Sequence, residues 1–162
     1  MNLLITGGAG FMGSHFAKYL INKYPDYRVV VFDKLTYAGN LDNLKEIKDN
    51  ERYTFVKGDI GDATALDQAI EGHRIEAIVN YAAETHVDRS IIDPKAFLLT
   101  DVLGTYILLE AVRKYKMKRM IQISTDEVYG DIQDGTVSEE APFRPSSPYA
   151  ASKAGGDHLC HA

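Results

Sequence analysis

The chain has 162 residues, of which 45% are hydrophobic and 25% charged, and its formal net charge is −5. This length suffices for one domain with a hydrophobic core. The acidic balance and the absence of a basic stripe argue against nucleic acid as a partner. A single cysteine, Cys160, rules out disulfides within the chain and fits a cytoplasmic protein. No apolar run approaches the roughly 20 residues of a membrane span, and no residue cluster predicts a metal site.

Short apolar runs alternate with helical patterns along the chain. Strands are predicted at Asn2–Thr6, Arg28–Asp33, Tyr53–Lys57, Ala77–Tyr81 and Arg119–Ser124. Helices are predicted at Gly13–Lys23, Thr64–Glu71 and Pro94–Tyr115, and from Pro148 onward. This alternation predicts an α/β fold with a doubly wound parallel sheet, covered by helices on both faces and ordered 3-2-1-4-5.

A glycine-rich loop joins the first strand to the first helix. In "TGGAGFMG", Gly7, Gly10 and Gly13 form the pattern G-x-x-G-x-x-G. Glycines let the backbone turn sharply and approach a pyrophosphate, and the amides at the helix N-terminus then face the anion. The alternative is a plain tight turn.

An acid at the end of the second strand refines this prediction. Asp33 lies 20 residues beyond Gly13, where a carboxylate accepts both ribose hydroxyls and repels a 2′-phosphate. The pattern therefore favours NAD over NADP, although Lys34 beside it weakens the argument and Asp33 alone also suits a strand-end turn. Asp59 and Ile60, after the third strand, are candidates for an adenine contact, although "GDIGD" also suits a simple turn.

Tyr149 and Lys153 in "YAASK" lie at i and i+4 and share one face of a helix. A phenol is a poor base at neutral pH, but a nearby ammonium and an oxidised nicotinamide lower its pKa. Tyr149 can then take a proton from a sugar hydroxyl while hydride leaves the carbon. A surface aromatic–lysine pair is the alternative.

The glycine loop, Tyr149 and Lys153 together resemble the extended short-chain dehydrogenase/reductase family. The segments "DKLTYAGN", "AAETHVDRSI", "STDEVYG" and "PSSPYAASKA" resemble one branch of it, the dTDP-glucose 4,6-dehydratases. That resemblance identifies Thr125 as the hydroxyl that completes a triad with Tyr149 and Lys153. It further implies that Thr125 hydrogen-bonds the C4 oxygen of the sugar.

Two adjacent acids follow this threonine. A 4,6-dehydratase must eliminate water across C5 and C6 after oxidation at C4, which needs one ionised and one protonated acid. By resemblance, Glu127 is the base at C5 and Asp126 is the acid at C6. Away from any motif, both would read as solvated loop acids.

The resemblance also implies further contacts. The expected cofactor contacts are Gly7, Gly10, Phe11, Met12, Gly13, Asp33, Lys34, Leu35, Thr36, Asp59, Ile60, Ala82, Ala83, Thr100, Tyr149 and Lys153. The expected substrate contacts are Thr85, His86 and Thr125, although His86 also suits a plain polar loop. At position 101 this chain has Asp where the family tends to have Asn.

The family's chains continue well beyond this length, and the last helical pattern carries no stop signal. We therefore expect residues 1–162 to be an incomplete Rossmann-type NAD-binding domain, truncated before its last strands and without the C-terminal substrate domain. The expected substrate is a nucleotide sugar, dTDP-glucose or UDP-glucose, and the full-length protein is expected to be a homodimer. A sugar-nucleotide epimerase and a non-catalytic dinucleotide-binding module remain alternatives.

Overall fold

A computed structural model describes all residues from 1 to 162. The chain forms two compact units. Unit 1 comprises Met1–Ala82 and Ile107–Ile123, and unit 2 comprises Ala83–Tyr106 and Ser124–Ala162.

The strands and helices alternate as the sequence predicts. The strands are β1 (Asn2–Thr6), β2 (Arg28–Asp33), β3 (Tyr53–Lys57), β4 (Ala77–Asn80) and β5 (Arg119–Gln122). The α-helices are α1 (Phe11–Lys23), α2 (Ala63–His73), α3 (Val87–Ile92), α4 (Lys95–Phe97), α5 (Thr105–Lys114) and α6 (Pro148–His161). A π-helical segment spans Leu98–Gly104, and short 3₁₀ turns span Leu41–Leu44 and Asp126–Tyr129.

The five strands of unit 1 form one parallel sheet in the order β3-β2-β1-β4-β5. This confirms the predicted doubly wound topology. Parallel strands end at the same edge of the sheet, and in such sheets ligands bind beyond the carboxyl ends of the strands. The loops after β1, β2, β3 and β4 therefore form the edge of unit 1 on which a ligand is expected.

The central strand β1 packs against both hydrophobic layers of unit 1. Side chains alternate across a strand, so Leu3 and Ile5 join the cluster that contains Leu20 of α1. Leu4 points to the other face and joins the cluster that contains Leu66 of α2. The near-continuous apolar sequence of β1 and β2 reflects this burial on both faces.

The structure differs from the prediction at several boundaries. β5 ends at Gln122 rather than Ser124, because Thr125 caps the following 3₁₀ turn. The helix predicted over Pro94–Tyr115 consists of α4, the π-helical segment and α5 in succession. Helix α3 has no counterpart in the sequence prediction. None of the helices has the length and hydropathy that a membrane span requires.

Two phenylalanines of unit 1 allow a matched stability test. Phe32 is fully buried, whereas Phe11 is 76% exposed. We expect Phe32→Ala to lower the free energy of unfolding by about 3–5 kcal/mol, because it removes a large core side chain and leaves a cavity. Phe11→Ala is expected to change it by no more than about 0.5 kcal/mol. Urea denaturation checks both values, and equal losses would contradict the assigned core.

Candidate active site

The glycine loop after β1 is built on close backbone contacts. Gly7 has φ +63°, and a Cβ atom there would lie 2.5 Å from the backbone nitrogen of Ala82. A Cβ atom on Gly13 would lie 2.5 Å from the carbonyl oxygen of Gly7. Neither position accepts a side chain without moving the backbone. The absence of side chains at these two positions therefore lets the backbone of the loop pack closely on itself and on the segment after β4.

The N-terminus of α1 is open to an anion. Its N-cap residue is Gly10, which has no side chain to bond the first-turn amides. Phe11 and Met12 follow, and their side chains are 76% and 61% exposed. The positive end of the helix macrodipole lies at this turn. The turn therefore offers uncapped donors and a favourable potential to a phosphate.

Asp33 at the end of β2 is tied to this loop. Its carboxylate is buried, and Oδ2 accepts a hydrogen bond of 2.9 Å from the Ala9 amide. Oδ1 accepts a 2.7 Å bond from the amide of Leu35, which has φ +58°. Each carboxylate oxygen accepts more than one bond, so Asp33 retains capacity for further donors such as hydroxyls. Thr36, also an expected cofactor contact, follows Leu35 in the same turn.

Lys34 forms an ion pair with Asp59, with 2.5 Å between Nζ and Oδ2. Burial would raise the pKa of the Asp59 carboxyl, but Lys34 and the Gly61 amide outweigh it and hold that pKa below its ordinary value. Lys34 thus already has an acidic partner in unit 1. Ile60 is buried in the hydrophobic core, with 3% of its surface exposed.

In unit 2, the start of α6 presents Tyr149 and Lys153. Ser147 is the N-cap and accepts a 3.0 Å bond from the Ala150 amide, and Pro148 occupies the first turn. Lys153 is only 4% exposed. Tyr149 is half-buried, and Phe97 meets its ring edge-on at 6.3 Å between centroids. The predicted helical face therefore exists, and its lysine is buried.

The side chain of Thr125 interacts with the Tyr149 hydroxyl and lowers its pKa. Burial raises the pKa of Tyr149, the Thr125 bond lowers it, and the carboxylates of Glu127, Asp101 and Asp126 raise it. The net pKa is above the ordinary value for tyrosine. The sequence-based prediction is that Lys153 lowers this pKa together with an oxidised nicotinamide. In the chain itself, burial and three acids outweigh the effect of Thr125 and keep the pKa of Tyr149 raised.

The two acids lie on the 3₁₀ turn that Thr125 caps. The Thr125 hydroxyl accepts a 3.3 Å bond from the Glu127 amide and donates a 3.4 Å bond to Oδ1 of Asp126. Both carboxylates are exposed. They line an open cleft of about 980 Å³, together with Ser124, Phe143 and Asp157.

The remaining predicted contacts are distributed between the units. Ala82 belongs to unit 1 and packs on Gly7. The other four belong to unit 2: Ala83, Thr85, His86 and Thr100. Thr85 and His86 are exposed at the start of α3. Thr100 is half-buried in the π-helical segment.

Two side chains near Tyr149 and Lys153 were not predicted. Ser152 is buried and donates a hydrogen bond to Asp101, and Asp157 accepts one from Ser124. Both lie three to four residues from members of the predicted Tyr-x-x-x-Lys face of α6. Extending that helical face along "SKAGGD" would have found them.

Comparison with known proteins identifies the family. A family model described as "GDP-mannose 4,6 dehydratase" matches residues 4–162. The chain belongs to this family.

Relatives within this GDP-mannose 4,6 dehydratase family confirm the resemblance to the dTDP-glucose branch. A dTDP-glucose 4,6-dehydratase from Streptomyces niveus is 48% identical over the whole chain, which covers 49% of that protein. A solved dTDP-glucose 4,6-dehydratase from Streptomyces venezuelae, with NAD bound, is 49% identical with a TM-score of 0.93, over 98% of this chain and 50% of that one. A UDP-glucose 4-epimerase from Thermus thermophilus, also solved with NAD, is 34% identical with a TM-score of 0.88, over 99% of this chain and 50% of that one. The chain spans about half the length of these relatives.

The Thr125 hydrogen bond predicts the response of Tyr149 to mutation. We expect Thr125→Val to raise the pKa of Tyr149 further, because it removes the one hydrogen bond that lowers that pKa. Thr125→Ser keeps the hydroxyl and is the matched control. The absorbance of tyrosinate against pH, corrected with a Tyr149→Phe titration, gives the pKa. The same pKa in both variants would contradict the hydrogen bond.

Proposed function

We propose that this chain carries the cofactor and catalytic residues of an NAD-dependent nucleotide-sugar 4,6-dehydratase. The leading substrate is dTDP-glucose and the product is its 4-keto-6-deoxy derivative. One observation carries the proposal: in unit 2 the Thr125 side chain lowers the pKa of Tyr149, and Asp126 and Glu127 lie on the turn that Thr125 caps. A dehydrogenase needs only the hydroxyls and the lysine, whereas dehydration also needs the acids. The identity to dTDP-glucose 4,6-dehydratases supports the same assignment.

The residues of unit 1 fit NAD. A Cβ atom at Gly7 or Gly13 would collide with the backbone of this loop, so the glycines keep a close approach open. The uncapped start of α1 suits the pyrophosphate. Asp33 suits the adenosine ribose, and the Lys34–Asp59 pair leaves less positive charge for a 2′-phosphate. When bound, NAD accepts a hydride from C4 of the sugar and returns it at C6.

Oxidation at C4 also needs the C4 hydroxyl to lose its proton. Tyr149 is the proposed base, and its proton acceptor role requires the phenolate. Thr125 already lowers the pKa of Tyr149, and it is the proposed partner of the C4 oxygen. The buried ammonium of Lys153 is the proposed positive charge that favours the phenolate.

Elimination is assigned to the acids. The C4 ketone acidifies the proton at C5, and Glu127 removes that proton. Asp126 donates a proton to the C6 hydroxyl, which leaves as water and gives the C5–C6 alkene. Glu127 returns its proton to C5 as hydride returns to C6. The proton that Tyr149 takes from the C4 hydroxyl offsets the one that Asp126 gives to the departing water, so the reaction balances with the loss of one water.

The second candidate is a nucleotide-sugar 4-epimerase, favoured by the Thermus thermophilus relative at 34% identity. An epimerase returns the hydride to C4, whereas a dehydratase moves it to C6. A substrate deuterated at C4 separates the two. Deuterium retained at C4 of an epimerised product would replace the dehydratase proposal. Comparing dTDP-glucose with UDP-glucose in the same assay identifies the preferred base.

We further propose that residues 1–162 bind NAD but turn over little substrate by themselves. Half of each relative has no counterpart in this sequence, and catalysis requires a substrate held in a productive geometry. Residues 1–162 have a mass of 18.0 kDa. The mass of the polypeptide in its source cells shows whether the natural protein is longer, and that protein is the one to assay. Substantial dehydration by residues 1–162 alone would refute this proposal.

Asp33→Asn tests the cofactor site. We expect NAD binding to weaken by roughly 10- to 100-fold, the equivalent of about 1.5–3 kcal/mol for hydrogen bonds to a charged group. The preference for NAD over NADP should fall as well, because the repulsion of a 2′-phosphate is lost. Asp26→Asn removes an exposed carboxylate elsewhere in unit 1 and is the control. Calorimetric titration gives the affinities, and unchanged binding in Asp33→Asn would argue against the site.

Glu127→Gln tests the elimination step and is made in the natural polypeptide of the source cells. We expect C4 oxidation to persist and dehydration to fall by about 10²- to 10⁴-fold, the usual contribution of a positioned general base. NADH absorbance reports the first step and the 4-keto-6-deoxy product reports the second. Glu140→Gln, in an exposed part of the same unit, is the control. Parallel losses in both steps would assign Glu127 to binding or folding instead.

A further inference from the structure

Asp101 is a buried carboxylate in the π-helical segment of unit 2, and the dehydration mechanism does not use it. Only 2% of its surface is exposed. Oδ2 accepts a 2.7 Å hydrogen bond from the Ser152 hydroxyl of α6, and Oδ1 accepts a 3.1 Å bond from the Glu84 amide. One carboxylate thus joins three stretches of unit 2: the segment after β4, the π-helical segment and α6.

The residue that donates to Asp101 lies between the two proposed catalytic residues of α6. The same hydroxyl lies 2.8 Å from the carbonyl oxygen of Tyr149, so its single proton is shared between that oxygen and Asp101. Lys153 follows Ser152 directly in the chain. The contact therefore fixes the turn of α6 that carries both Tyr149 and Lys153. A Ser152 hydroxyl shared between Asp101 and Tyr149 can turn in neither direction without losing a buried bond.

The charges around this pair are mixed. Lys153 is buried, and burial lowers the pKa of its ammonium while the carboxylates of Asp101 and Asp157 and the Cys160 thiol raise it. Facing Asp101 are Lys153 and the carboxylate of Glu84. Facing Tyr149 are the carboxylates of Glu127, Asp101 and Asp126. Asp101 is the acid whose charge acts on both Lys153 and Tyr149.

We propose that Asp101 is a positioning residue for Tyr149 and Lys153: its buried carboxylate holds their turn of α6 through Ser152 and supplies a counter-charge to the ammonium of Lys153. The importance of Lys153 for catalysis rests on the proposed function. The electrostatic link between Asp101 and Lys153 does not, because it concerns the folded chain alone.

The counter-charge depends on the ionisation of Asp101. Burial raises the pKa of this carboxyl, and the Ser152 bond, Lys153 and the Glu84 amide oppose that rise, which leaves it at about 6. Above that pH, Asp101 is ionised and stabilises the ammonium of Lys153. As the pH falls below about 6, the Asp101 carboxyl becomes neutral and no longer stabilises the ammonium. Lys153 nevertheless stays protonated, because the low pH itself favours the ammonium. The negative charge of Asp101 therefore stabilises the Lys153 ammonium at neutral and alkaline pH.

Asp101→Asn separates the charge from the hydrogen bonds. An asparagine has nearly the same shape, and its oxygen still accepts a bond from the Glu84 amide, but it carries no charge. We expect the pKa of Lys153 to fall below its wild-type value. ¹⁵N-lysine NMR of residues 1–162, with the Lys153 signal assigned by Lys153→Arg, measures this pKa without NAD or substrate.

Asp134→Asn is the matched control, because it removes the same charge from an exposed loop of the same unit. It should leave the pKa of Lys153 unchanged. Equal Lys153 pKa values in the Asp101→Asn and Asp134→Asn variants would overturn the proposal. A failure of the chain to bind NAD would count against the proposed function, but it would not change the comparison of Lys153 pKa values.

Ser152→Ala provides a second route if Asp101→Asn does not fold. It removes the hydrogen bond that opposes the burial of Asp101, so the pKa of the Asp101 carboxyl should rise above its wild-type value. Carboxyl ¹³C NMR follows that titration directly. An unchanged Asp101 titration would overturn the positioning role of Ser152 and Asp101.

Discussion

The pairing of β1 with β2 on one side and β4 on the other is the constraint on which unit 1 depends. Because all three strands run in parallel, their carboxyl ends meet at one edge of the sheet. That edge receives the glycine loop after β1, Asp33 at the end of β2 and Ala82 after β4. The absence of a Cβ atom at Gly7 then lets the loop after β1 lie directly on the backbone of Ala82. A shift in register would break this contact before it affected any ligand.

Asp33 connects this architecture to chemistry. A carboxylate that accepts bonds from the amides of Ala9 and Leu35 is held in one orientation before any ligand arrives. The positive φ of Leu35 aims that amide back at the carboxylate, and the conformational cost is offset by a charge-assisted hydrogen bond. The same side chain therefore stabilises the empty loop and presents its remaining acceptor capacity. Preorganisation of this kind reduces the entropy lost on binding.

Much of the fold could be predicted because the sequence of unit 1 is locally consistent. Apolar runs such as "NLLIT" and "RVVVFD" mark strands buried on both faces, and the glycine loop marks the first connection. The break of the Pro94–Tyr115 helix could not be predicted, because Leu98–Gly104 contains no proline and only one glycine, at its last position. A π-helical turn adds one residue to each hydrogen-bonded ring. The apolar spacing does not report this ring size, and the contact of Asp101 with Ser152 of α6 joins residues far apart in the chain.

In the candidate site, too, some features could be predicted from local sequence and others depend on the folded chain. Tyr149, Lys153 and Thr125 were found by spacing and resemblance, since these depend on local order in the chain. The pKa of Tyr149 depends instead on burial and on acids from other segments, which no spacing reveals. The sequence predicts that Lys153 lowers this pKa together with an oxidised nicotinamide. In the structure, burial opposes the charge of Lys153 and Asp101 supports it. A pattern can therefore propose participants in proton transfer, while their proton affinities depend on the folded chain.

Asp126 and Glu127 raise a related physical question. Opposite protonation states for two adjacent acids require different surroundings. On a 3₁₀ turn, successive side chains point about 120° apart, so the two carboxylates face different directions. Both are nevertheless exposed. The Thr125 hydroxyl donates to the Asp126 carboxylate, whereas it accepts a bond only from the backbone amide of Glu127. The fold of unit 2 thus supplies direction but little desolvation. In the proposed reaction, the sugar must supply the rest, because a bound ring that covers one acid more than the other excludes water unequally and separates their proton affinities.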